Sequence, residues 1–190
     1  MVRTAGVGYV PNVGSRASDR QLRLELALPR LDAAARQRAR ERGWHVEILD
    51  PEDPDERAVL IRLAHPDLDD AVGEGKETVD VGGEPMNPRL HLAIHEVVAT
   101  QIIDDDPPEA FETAQRLVAS GRDHHEVLHM LGFVASQQIW GAMQDEVPSR
   151  AEYADALAAL PGSFDDSVSM RPNRAARRAQ ARGARRRRRR

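Results

Sequence analysis

Apolar residues recur at three- and four-residue spacing through most of the chain between residues 31 and 160, the period of helices that each bury one face. Leu31 to Arg42 reads LDAAARQRARER, rich in strong helix formers, with Pro29 before it and Gly43 where a helix stop belongs. Glu56 to Ala64 repeats the pattern through Val59, Leu60 and Leu63 and must end before Pro66, because the residue ahead of a proline is pushed out of the helical region. Trp44, Val46 and Ile48 alternate with His45 and Glu47, which predicts a short strand, and residues 77 to 86 predict a small hairpin around Gly82-Gly83.

The strongest pattern lies between Asn87 and Leu160. Asn87-Pro88 is an N-cap and first-turn pair opening a helix to about Ile103. The run Asp104 to Pro108 breaks it, and Glu109 to Ala119 predicts a second helix that stops at Ser120-Gly121. Asp123 and Glu126 have capping-box spacing at the start of a third helix reaching Met143. Ser149 and Glu152 start a fourth, which ends at Pro161-Gly162. The expected fold is therefore mainly α, a compact helical bundle with a short β-hairpin or strand in its N-terminal half. The expected organisation is a mobile arm over 1–17, a flanking segment over 18–86, a histidine-paired helical domain over 87–166 and a disordered arginine-rich tail over 167–190.

Composition adjusts this picture at the ends. Eleven of the 27 basic residues and none of the 31 acidic ones fall in residues 171–190, so the net charge of −4 joins a +11 segment to a body of −15. Such a tail suits weak, nonspecific contact with nucleic acid or another anionic surface through counterion release, although the acidic body opposes it and no aromatic residue is interleaved for base stacking. With 41% hydrophobic residues and 13 glycines a packed core is expected. Zero cysteines exclude disulfides, thiolate metal sites and a cysteine nucleophile. Neither a signal-peptide core nor an apolar run of about 18 residues is present, so the cytoplasm is the default compartment.

Five of the seven histidines fall in the bundle: His91, His95, His124, His125 and His129. His91 with His95, and His125 with His129, are spaced i, i+4, so each pair projects from one face of its helix. Short connections make the first and third helices of this region parallel, with both pairs in the first two turns, so four imidazoles are expected to converge in one layer. The positive end of each helix disfavours imidazolium and favours the neutral ligand form. Metal ligation by His91, His95, His125 and His129 follows as an expectation, with zinc first and Fe, Ni, Cu or Mn also compatible with nitrogen donors. His125-Glu126-Val127-Leu128-His129 is an HExxH sequence, in which Glu126 is the candidate general base for a metal-bound water in a hydrolase. The competing readings are that Glu126 only caps its helix, and that the metal only fixes the shape of a structural or partner-binding module. His124 is expected to face solvent or stand behind the ligands, Glu96 to lie on the surface, and Trp140 to be core.

The segments NPRLHLAIHEVVATQI, DDPPEAFETAQRLVASGRDHHEVLHMLG, Gln138-Ile139-Trp140 and Glu152-Tyr153 resemble a bacterial family known as domain of unknown function eighteen-forty-one. The resemblance spans Asn87 through Leu160 and implies a compact helical domain with His91, His95, His125 and His129 as its family-like positions. It implies no particular reaction. The HExxH segment is also similar to the start of the longer HExxHxxGxxH pattern of zincin metalloproteases through His125, Glu126, His129 and Gly132, but Ala135 occupies the place of the third histidine.

Overall fold

The computed structural model describes residues 13–81, 84–146 and 148–169. Among them stand nine α-helices: α1 Val13–Ala27, α2 Ala33–Glu41, α3 Pro54–Ala64, α4 Pro66–Gly73, α5 Pro88–Asp104, α6 Pro108–Ala119, α7 His124–Met143, α8 Arg150–Ala158 and α9 Gly162–Ser169. Two three-residue strands, β1 Val79–Val81 and β2 Glu84–Met86, pair antiparallel between α4 and α5, with Val79 opposite Met86. The mainly helical bundle and its hairpin are as expected. No described helix is long and apolar enough to cross a membrane.

Helix α5 is the hub, packing against α7, α1, α6, α3 and α4. Its start is set by Asn87, whose side chain accepts from the Leu90 amide, and by Pro88 in the first turn. Leu92, Val98, Ala99 and Ile102 of α5 are buried against Val127, Leu128, Leu131 and Val134 of α7 within one continuous apolar core. Between these two helices α6 reverses the chain. It ends in a Schellman turn, with Gly121 at φ 89°, its N–H donating to the Val118 carbonyl, and the Arg122 N–H donating to the Leu117 carbonyl. Asp123 caps α7 immediately afterwards, accepting from the amides of His125 and Glu126. Helices α5 and α7 thus enter the core from the same end.

Gly132 sets how closely they approach. A Cβ built there would lie 2.8 Å from Cγ2 of Ile94, one turn past His129. The glycine that suggested a longer protease pattern has a packing reason in this fold. Tyr153 of α8 donates to Gln101 of α5 at 2.8 Å, and Arg116 of α6 donates to the Leu157 and Leu160 carbonyls. The capping box of α8 is complete, with Glu152 N–H donating to Ser149 Oγ and Ser149 N–H to Glu152.

Several expectations are corrected. Trp44 to Ile48 is not a strand: Val46–Ile48 forms a 3-10 turn, and Trp44 and Ile48 are 41% and 78% exposed. The alternation has no neighbouring strand to pair with, since β1 and β2 pair with each other. The arm expected over 1–17 overlaps α1, which starts at Val13; residues 1–12 lie outside the described residues. In α1, Leu22, Leu24 and Leu26 alternate at period two, which hides the helix from a periodicity reading. Helix α9 carries regular structure to Ser169, past the expected start of the tail at 167, while residues 170–190 lie outside the described residues. Trp140 is 64% exposed because α7 outruns the bundle at its C-terminal end, where Met143 is also exposed.

Candidate metal centre

The two i, i+4 pairs meet as expected, and a fifth imidazole joins them. His91 and His95 stand in the first two turns of α5, and His125 and His129 in those of α7. His65 comes from the break between α3 and α4, where Pro66 ends one helix and opens the next. Ring centroids run 5.2 Å from His65 to His91, 5.1 Å from His91 to His129, 4.5 Å from His129 to His125 and 4.8 Å from His125 to His65. His95 touches all four of these rings, at 4.4, 4.9, 5.1 and 5.4 Å. The cluster is a four-membered base with His95 as its apex.

One ligand atom from each of His65, His95, His125 and His129 lies within 4.8 Å of the other three. His65 Nδ1–H donates to the Ile61 carbonyl at 2.8 Å, which fixes the tautomer and leaves Nε2 with its lone pair directed into the cluster. That Nε2 is 2.9 Å from Nε2 of His125. Two nitrogens each about 2.1 Å from one metal at a right angle stand about 3 Å apart, so the spacing is that of neighbouring ligands. A proton held between the two rings would also fit this one distance. It does not serve His95, which is 3% exposed and whose Nε2 is buried without a hydrogen-bond partner.

Burial and mutual repulsion keep the rings neutral. Loss of hydration, followed by the neighbouring histidines, lowers His91, His125 and His129 to about 4. His95 is lowered further by the same causes, and burial lowers His65 against the opposing pull of the Ile61 carbonyl. Neutral imidazole is the form that binds metals.

The other singled-out residues fall outside the cluster. Glu126 is directed to Arg122, whose Nη1 donates to its carboxylate at 3.3 Å and to Asp165 at 3.2 Å. The Asp123 half of its capping arrangement is present through the Glu126 amide. His124 is buried, not solvent-facing: its Nε2–H donates to the Leu26 carbonyl at 3.2 Å, tying the start of α7 to the end of α1. Glu96 is half-buried and His45 exposed. His65 carried no spacing signal, having no histidine partner on its own helix; its place directly before Pro66, where a helix must break, was the available clue.

Two clefts reach the cluster beneath the β-hairpin, sharing Val81, Met86, His91 and His129 as walls. One, of about 260 Å³, also touches His65, Pro66 and Leu68. The other, of about 410 Å³, continues past His95 to Ile94, Leu128, Phe133 and Phe164.

Fold and site together define a mainly helical protein with an inward-facing cluster of five histidines. The residue pattern of the family described as Domain of unknown function (DUF1841) matches residues 45–159, more than half of the chain, and the chain belongs to that family. The matched span begins well before Asn87 and includes His65 along with the four expected positions. No curated protein and no solved structure matches the chain.

Proposed function

We propose that this protein binds a single transition-metal ion through His65, His95, His125 and His129, with His91 as a fifth imidazole beside them. The observation that carries the reading is the unpartnered Nε2 of His95, at the apex of a ring of neutral imidazoles one of which, His65, is oriented from behind by a backbone carbonyl. A buried polar atom without a partner costs stability, and a metal bond removes that cost. Four imidazole nitrogens are a sufficient ligand set for zinc, while the right-angle spacing of His65 and His125 and the presence of His91 beside them suit a metal that accepts five or six ligands, such as Fe, Ni, Cu or Mn. Glu126 acts as the general base of a hydrolase only if it leaves Arg122, so the geometry supports metal binding more directly than hydrolysis.

Metal analysis of protein purified without added metal, followed by zinc titration of the stripped sample, tests the proposal. One ion per chain is expected, with stoichiometric binding lost in His95→Ala. A chain that carries no metal and takes up none on titration contradicts it.

A further inference from the structure

Resting on the metal reading above, we infer that the bound ion keeps an exchangeable position at the edge formed by His91 and His129, and that the larger cleft brings to it a carboxylate with an apolar body. Two independent features lead there. The first is charge. Every candidate ligand is a neutral imidazole, so a divalent ion in this set keeps its full charge in a half-buried place, where an anionic ligand is strongly favoured. The carboxylates lining the two clefts at this edge are Glu84, on the hairpin, and Asp67, in the smaller cleft, and neither belongs to the grouping of candidate ligand atoms.

The second is the shape and chemistry of the approach. The edge made by His91 and His129 faces both clefts, whereas His125 lines neither. Beyond that edge the wall is mainly apolar, built from Ile94, Leu128, Phe133 and Phe164 with Ser136 and Glu84 as its polar members, and the two phenyl rings stand edge-to-face at 5.8 Å. Small-molecule sites have this composition, an apolar body pocket leading to a few polar groups that fix orientation. A volume of about 410 Å³ accommodates a phenyl-sized group next to the metal. His91, outside the four-atom grouping, lines the same cleft, and its role in this inference is to donate a hydrogen bond to the second carboxylate oxygen. The ligand class is thus an aryl or branched aliphatic monocarboxylate, bound through its oxygen to the ion with its body against Phe133 and Phe164.

The test replaces the native ion with Co(II) in the full-length protein and follows the visible ligand-field bands during titration with acetate and with phenylacetate. Saturable band shifts are expected from both, with phenylacetate binding about 10- to 100-fold more tightly, the range for burying a phenyl group. Phe164→Ala, on the peripheral helix α9, is expected to weaken phenylacetate and leave acetate unchanged while cobalt uptake stays stoichiometric. Failure to take up cobalt would overturn the metal reading and this inference together. Stoichiometric cobalt with bands that neither carboxylate moves would overturn the exchangeable position alone. Equal affinity for the two carboxylates in the wild-type protein would overturn the role of the cleft.

Discussion

His65 is the residue on which the site turns. Its Nδ1–H is committed to the Ile61 carbonyl, so its other nitrogen has one orientation, toward His125. Replacing it by Ala removes a ligand, and the expected loss of zinc affinity exceeds the roughly 10–100-fold cost of losing an orienting partner. Competition against a chromophoric chelator measures this; unchanged affinity in His65→Ala would make His65 a bystander. Acid provides a second handle. His91, His125 and His129 are held at about 4 in the folded protein against an ordinary value of 6.5. Between those values the unfolded chain binds more protons than the folded one, so the stability of metal-free protein is intact above 6.5 and falls as the pH drops toward 4. Urea melts in the presence of chelator should show that fall, and a midpoint unchanged across the window would contradict buried neutral rings. The paired histidines were legible because helical spacing puts i and i+4 on one face. His65 was not, since a lone histidine at a helix break acquires its partners only through tertiary packing.

At the scale of elements, the cluster depends on how near α5 and α7 lie. Gly132 faces Ile94 with no room for a Cβ, and Ile94 is a stiff β-branched side chain on the helix that also carries His91 and His95. Gly132→Ala is therefore expected to lower the stability of metal-free protein by about 1–3 kcal/mol and to weaken zinc binding by shifting the two helices apart. Gly→Ala in an unobstructed helix would instead stabilise, so a higher melting temperature with unchanged affinity would show the contact to be relaxed. Helices whose ends carry local chemistry were readable to within a residue or two: Asn87-Pro88, Asp123 and the Ser149–Glu152 box all mark observed starts. Helices α4 and α9 were not read from the sequence, and two other stretches carried conflicting signals. Helix α1 alternates its leucines at period two, and the Trp44 to Ile48 alternation reported a strand that lacks a partner. Parallel entry of α5 and α7 was legible because both loops flanking α6 are short, whereas the docking of α3 and α4 onto α5 depends on contacts between residues distant in sequence.

The whole molecule combines an acidic body that holds the histidines with eleven arginines in residues 171–190. The arginine segment is expected to give weak binding to duplex DNA at low salt that disappears as salt rises, by counterion release, while removal of 171–190 abolishes it and leaves zinc affinity unchanged. Equal electrophoretic shifts with and without the segment would contradict that division. The bundle itself is organised around α5, which contributes two histidines and contacts both α3 and α4, the helices that flank His65. Metal binding should consequently join the α3–α4 break to the α5–α7 pair and raise the melting temperature of the entire domain. X-ray absorption at the metal edge of zinc-loaded protein addresses the central claim most directly. A shell of four or five nitrogen scatterers at about 2.0–2.1 Å, with the outer-shell features of imidazole rings, is the predicted result. A shell dominated by carboxylate and water oxygens, with one or two imidazoles, would contradict it.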